Sequence, residues 1–127
     1  MPRTKKIVKP KLTERLVMNR SGEFAIHVSG NSHCGVKKDL TVRYSVRAEC
    51  LPSLDKRGFL FDQLTVDNFF KSIGETILSC EELSMYCCEA LMDLIHKENN
   101  KCEIKNMSLT LSPEPYAASM TYEWSEE

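Results

Sequence analysis

Leu40-Thr41-Val42-Arg43-Tyr44-Ser45-Val46-Arg47-Ala48-Glu49 decides the fold of this chain. Apolar side chains occupy every second position, with Thr41, Arg43, Ser45, Arg47 and Glu49 between them. In an extended chain successive side chains point to opposite faces, so this segment is a strand with one dry face and one polar face. Upstream, Phe24, Ile26 and Val28 alternate with Ala25, His27 and Ser29 from Glu23 onward, and Gly30-Asn31-Ser32 marks the turn between two strands. Downstream, Pro52, Ser53 and Gly58 end the pattern.

The period then changes. Val66, Phe69, Phe70, Ile73 and Ile77 recur at helical spacing, with Thr65 as the expected cap and Gly74 weakening the second half. Ser79-Cys80-Glu81-Glu82 fits a capping box, in which Ser79 accepts from the third helical amide and Glu82 reaches back. The helix behind it is expected to bury Leu83, Cys87, Ala90, Leu91 and Leu94 and to end near Lys97-Glu98-Asn99-Asn100. Two more alternating segments follow: Met107, Leu109 and Leu111, stopped by Pro113 and Pro115, and then Ala118, Met120, Tyr122 and Trp124. The expected architecture is α+β, an antiparallel sheet of ββααββ order with both helices on its apolar face. Residues 1–20 are expected as a basic, flexible tail and residues 21–127 as one domain.

The 127-residue length suits one domain, and 42% hydrophobic with 28% charged residues argues against both wholesale disorder and membrane spans. No apolar leader follows the basic N-terminus, so a cytoplasmic location is expected. The six cysteines include no CxxC pair, which disfavours a zinc knuckle, and at least four of them are expected as reduced core thiols. Net charge is −1, yet residues 1–57 carry 13 Lys/Arg against 5 Asp/Glu while residues 58–127 carry 4 against 13. Such a dipole suits either head-to-tail contact between subunits or nucleic-acid binding by the front half.

Several short motifs resemble those of a known family. Gly58-Phe59-Leu60-Phe61-Asp62 is similar to the Gly-Met-x-x-Asp-Phe turn of the pyruvoyl- and carboxy-tetrahydropterin synthases. Ser79-Cys80-Glu81-Glu82-Leu83-Ser84 resembles their Thr-x-Glu-Asn-Leu-Ala helix start, and Phe24-Ala25-Ile26-His27 and His33-Cys34-Gly35 fall where that family has Phe-x-Ala-x-His and His-Gly-His. The resemblance covers about residues 23–124. It implies the tunnelling fold, or T-fold, a homo-oligomer of ββααββ subunits that binds pterins or purines at its subunit junctions.

What the resemblance implies for chemistry is partial. The family holds zinc with three histidines; His27 and His33 match two ligands and Gly35 takes the third place. Zinc is thus the metal implied, with one ligand short of a firm catalytic site. The Asp-His pair expected between the helices is absent, so synthase activity is doubtful and aldolase activity, which would need a lysine where Ser112 stands, is disfavoured. A carboxylate anchors the heterocycle in this fold, and Glu81 and Glu114 are the candidates because paired carboxylate oxygens match two adjacent N–H donors. Against each stands a plain structural role, since an acid in the first turn of a helix is favoured by its dipole. Asp62 reads as a turn or cap residue. Two other readings compete: a non-catalytic interaction or nucleic-acid-binding module using the basic tail, and a nucleophilic Cys34 beside His33.

Overall fold

The computed structural model describes residues 14–29, 39–114 and 118–126. The chain runs β1 (Leu16–Val28), β2 (Asp39–Cys50), α1 (Gln63–Lys71), β3 (Glu75–Thr76), α2 (Cys80–Glu98), β4 (Ile104–Glu114) and β5 (Met120–Ser125). The five strands form one sheet in the order β3-β1-β2-β4-β5. All neighbours are antiparallel except β3, which lies parallel to the end of β1 through His27↔Glu75 and Val28↔Thr76. The α+β architecture with two helices on the apolar face of a largely antiparallel sheet is the expected one.

The alternation within β2 works as its sequence dictates. Leu40, Val42, Tyr44, Val46 and Ala48 are buried, and Thr41, Arg43, Ser45, Arg47 and Glu49 face outward. The same parity buries Phe24, Ile26 and Val28 on β1 and Met107, Leu109 and Leu111 on β4. The helices close this layer with Val66, Phe69 and Phe70 from α1 and Leu83, Cys87, Leu91 and Ile95 from α2. At its centre the Phe70 ring stacks on Tyr44 with centroids 4.1 Å apart, while Phe24 and Phe69 meet Phe70 at 5.4 and 5.2 Å. Such pairs contribute about 0.5–1.5 kcal/mol each beyond area burial.

Several boundaries differ from the sequence reading, each for a physical reason. Strand β1 starts at Leu16, so residues assigned to the basic tail pair with β2 from Leu16↔Cys50 onward. Arg20 and Gly22 interrupt the inward apolar series there and conceal it. Asp62, rather than Thr65, caps α1, its carboxylate accepting from the Leu64 amide at 2.9 Å. Helix α1 stops at Lys71 instead of running to Ile77, and the chain turns through Gly74 into β3, leaving Ile77 71% exposed. Along α2 the buried stripe takes in Ile95 and leaves Leu94 half-exposed. Strand β4 continues through Pro113, because β5 pairs only as far as Leu111↔Met120 and the missing N–H there costs no ladder bond on that side.

The loop between β2 and α1 is tied down at several points. Gly58 turns it with φ +83, and Asp55 accepts from the Phe59 and Arg57 amides at 3.0 and 2.8 Å. Arg57 then bridges Asp55 at 2.8 Å and Glu98 at 3.2 Å while lying over the Phe59 ring. Glu98, the last residue of α2, also accepts from the Asp62 amide and the Thr65 hydroxyl, and so serves the amino end of the other helix. Ser79 and Glu82 form the expected reciprocal capping box, both bonds 3.1 Å. Four of the free cysteines, Cys50, Cys87, Cys88 and Cys102, are fully buried, as expected of reduced core thiols.

Candidate functional site

Strand register assembles one polar cluster on the outward face of the sheet. His27 on β1 stands opposite Asp39 on β2, and its Nδ1 is 2.8 Å from Asp39 Oδ1. The next outward pair along is Thr41↔Glu114, and Glu114 is ion-paired to Arg43 at 2.6 Å. His27 and Glu114 therefore share one end of one face. Two strand spacings sideways and one side-chain repeat along separate their Cα atoms by about 12 Å. That is too far for both to ligate one ion.

Only part of the implied zinc set can be located. His33, Cys34 and Gly35 lie outside the described residues. Among the described residues no group of three or more His, Cys, Asp and Glu is arranged to hold a metal ion. His27 has the local arrangement of a ligand, with one ring nitrogen oriented by a carboxylate and the other left for a partner. A single oriented histidine does not make a metal site, and no chemistry is derived through zinc.

Glu81 is placed elsewhere. It stands in the first turn of α2, in the helix layer on the opposite side of the sheet from His27 and Glu114. The capping box engages its neighbour Glu82 and leaves Glu81 exposed, with no hydrogen bond or ion pair to another described residue. An open groove of about 400 Å³ lies beside this helix start, lined by Phe69, Ile73, Thr76, Ile77, Leu78, Leu83 and Tyr86 among others. Leu78 and Leu83 line it on either side of residue 81 in the chain. The groove presents aromatic and aliphatic carbon beside polar groups of Ser72, Glu75 and Thr76, a mixture that suits a flat heterocycle with polar edges.

A third cluster had no counterpart in the sequence reading. Arg20 reaches from β1 to Asp67 on α1 through Nε–Oδ1 at 3.0 Å and a second, shorter bond to Oδ2, and Tyr44 Oη donates to Asp67 Oδ1 at 2.6 Å. The Arg20 guanidinium holds the Asp67 carboxyl down at about 2, and burial pushes the Tyr44 phenol up to about 12. The one signal in the sequence was parity. Arg20 has the inward phase of Met18 and Phe24, and an inward arginine needs a carboxylate from the layer above it.

The fold has known counterparts. No protein-family model and no curated protein matches the chain. Among solved structures it is similar to the 6-pyruvoyltetrahydropterin synthase of Plasmodium vivax, at TM-score 0.53 and 10% identity over 89% of this chain and 98% of that one. A catalytic-residue mutant of the same synthase gives TM-score 0.54 at 10% identity, with the same coverage. The Plasmodium falciparum synthase gives TM-score 0.54 at 8% identity, again over 89% and 98% of the two chains. Such identity carries the fold alone. The chain is a T-fold protein resembling the pyruvoyl tetrahydropterin synthases in architecture. Among the described residues no helix is long and apolar enough to cross a membrane.

Proposed function

We propose that this chain binds a pterin- or purine-like heterocycle, with Glu81 as its carboxylate anchor, at junctions between copies of itself. The observation that supports the reading is Glu81, an exposed acid with no hydrogen bond or ion pair to another described residue, beside an open groove lined by both apolar and polar side chains. The capping box accounts for Glu82 and the Arg43 ion pair accounts for Glu114. Glu81 alone of the three keeps both oxygens available for two adjacent ring N–H donors. Glu114 is the weaker anchor, because a ligand there would first have to displace a guanidinium.

Assembly is supported by the sheet edges. Among the described residues, the outer edge of β1 is paired with β3 only at His27 and Val28, and the outer edge of β5 faces no strand. Leu16 and Val17 are exposed on the first of these. Two long open edges on one subunit are an aggregation hazard unless another chain pairs with them, and head-to-tail pairing of β1 with β5 of a second copy would close a ring. In that arrangement the polar face, with His27, Asp39, Arg43 and Glu114, lines the lumen. Synthase chemistry is not assigned, since the described residues offer no proton shuttle beside Glu81.

A thermal-shift screen against pterins and purines tests the ligand, because a molecule that binds only the folded form raises its apparent stability. Binders should raise the melting temperature of the parent protein and of Glu114→Gln but not of Glu81→Gln. A monomer by native mass spectrometry that no pterin or purine stabilises would overturn the reading.

A further inference from the structure

We propose that the basic segment ahead of β1, residues 3–11, docks on the polar face of its own sheet, with lysine ammonium groups on Glu23 and Glu123.

That face is charged unevenly. Strand register places Glu23, Asp39, Glu49, Glu114 and Glu123 on it against Arg43 and Arg47. Arg43 is ion-paired to Glu114 at 2.6 Å and Arg47 to Glu49 at 2.9 Å, while His27 engages Asp39 at 2.8 Å. Glu23 and Glu123 are exposed and make no hydrogen bond or ion pair to another described residue. Both arginines are thus committed, and two carboxylates remain for a cation from elsewhere.

The surroundings of Glu23 suit an ammonium group. An open hollow of about 510 Å³ on this face is lined by Glu23, Arg43, Ser21, Ser45, Thr110 and Ser112 among others. The hydroxyls of Ser21, Ser45 and Ser112 make no hydrogen bond to another described residue. An ammonium carries three N–H donors and no acceptor, so a carboxylate with hydroxyl oxygens around it can satisfy all three. An anion is disfavoured there, because it would meet Glu23 and Glu114 while the guanidinium beside them is already engaged.

The chain itself supplies the cations. Residues 1–13 carry Arg3, Lys5, Lys6, Lys9 and Lys11 and no acid. The chain enters β1 from the polar side of the sheet, since Arg15 lines a second hollow there with Glu49, Asn106 and Ser125. Glu23 lies about 24 Å along the strand from Leu16. The residues between Lys6 and Leu16 can span at most about 35 Å, which brings Lys6 within reach of it. Glu123 shares a row across the sheet with Asn19, Arg47 and Ser108, about 17 Å from Leu16, and Lys9 reaches that far by the same measure. Helix α2 also exposes acids, among them Glu89 and Asp93, but it lies on the other side of the sheet. Docked on the polar face, the segment offsets its excess acid and withholds its own charge from outside polyanions. The docking does not depend on the heterocycle reading, because Glu81 is in the helix layer.

The test is zero-length carbodiimide cross-linking of the full chain, mapped by mass spectrometry on a mixture of isotope-labelled and unlabelled protein. Amide links should join Lys5, Lys6, Lys9 or Lys11 to Glu23 or Glu123 within one chain. Native trypsin cleavage after Lys6 and Lys11 should be at least about tenfold faster in the double variant Glu23→Gln, Glu123→Gln than in the parent protein. Both substitutions sit on exposed positions, so the variant should keep its fold and its melting temperature. No link from these lysines, links only to acids of α2, or links only between chains would overturn the docking. Equal cleavage rates in parent and variant would overturn it too, as would protection of the lysines that appears only when RNA is added.

Discussion

At Gly22 the missing side chain is what lets the Tyr44 phenol reach across the sheet. A Cβ there would lie 2.4 Å from Tyr44 Oη and 2.7 Å from the ring carbon that bears it, so an alanine must push the ring away from Asp67. Gly22→Ala should destabilise the protein by about 1–3 kcal/mol in urea, as an overpacked contact that also strains a buried hydrogen bond. The same cluster predicts two pH dependences. The Asp67 carboxyl titrates lower in the folded chain, at about 2, than its ordinary value. Its contribution is therefore complete above about pH 4 and lost as the pH falls toward 2. The Tyr44 phenol titrates higher when folded, at about 12. Its contribution is complete below about pH 10 and lost as the pH rises through 12. Urea midpoints measured across both windows should show the acid loss shrinking in Asp67→Asn and the alkaline loss shrinking in Tyr44→Phe. Unchanged profiles in these variants would assign the titrations to other groups.

Among the elements, α2 carries the most at its ends. Its first turn is closed by Ser79 and Glu82, and its last residue, Glu98, lies over the amino end of α1. A glutamate at a helix carboxyl end is unfavourable for its own helix, so its place is explained by the amides and hydroxyl it serves on the other one. Ser79→Ala should cost about 1 kcal/mol in chemical denaturation. Glu98→Ala should cost about 1–2 kcal/mol and speed proteolysis within residues 51–62, because it releases the loop and the cap of α1 together. Loss of stability without faster loop cleavage would show that Asp55 and Arg57 hold the loop unaided. The capping box was legible beforehand because its residues lie within one short segment. The service of Glu98 to α1 was not, since it joins positions 36 apart.

For the molecule as a whole, the closed assembly proposed above rests on the edges of β1 and β5 that are open among the described residues and on the polar sheet face. Native mass spectrometry should give a mass that is a whole multiple of the chain, and salt should loosen the assembly if the charge asymmetry between its halves contributes to the junctions. Glu81→Gln should leave that mass unchanged while abolishing stabilisation by pterins or purines. This separates the ligand reading from the assembly reading. The groove beside Glu81 was hidden in the sequence because Ile73 and Ile77 have helical spacing. What ends the helix is a competing pairing, β3 with β1, whose partners lie 48 residues apart.

Strand β2 shows where the division lies between local pattern and tertiary structure. Alternation at Leu40–Ala48, the helical stripe of α2 and its capping box are local patterns, and they determined the α+β class, the two faces of the sheet and most of the core. Side-chain direction follows from position along a strand or helix, so such patterns need no tertiary knowledge. Tertiary structure decided what depends on distant partners: the early start of β1, the short α1 and the service of Glu98 to α1. It also distributed the candidate site residues. The sequence already favoured Glu81 over Glu114 as an anchor, and packing added that Glu114 is ion-paired to Arg43 while Glu81 has no partner among the described residues. Charge compensation is a property of neighbours in space, and that is why the arginine beside Glu114 was not legible in the sequence.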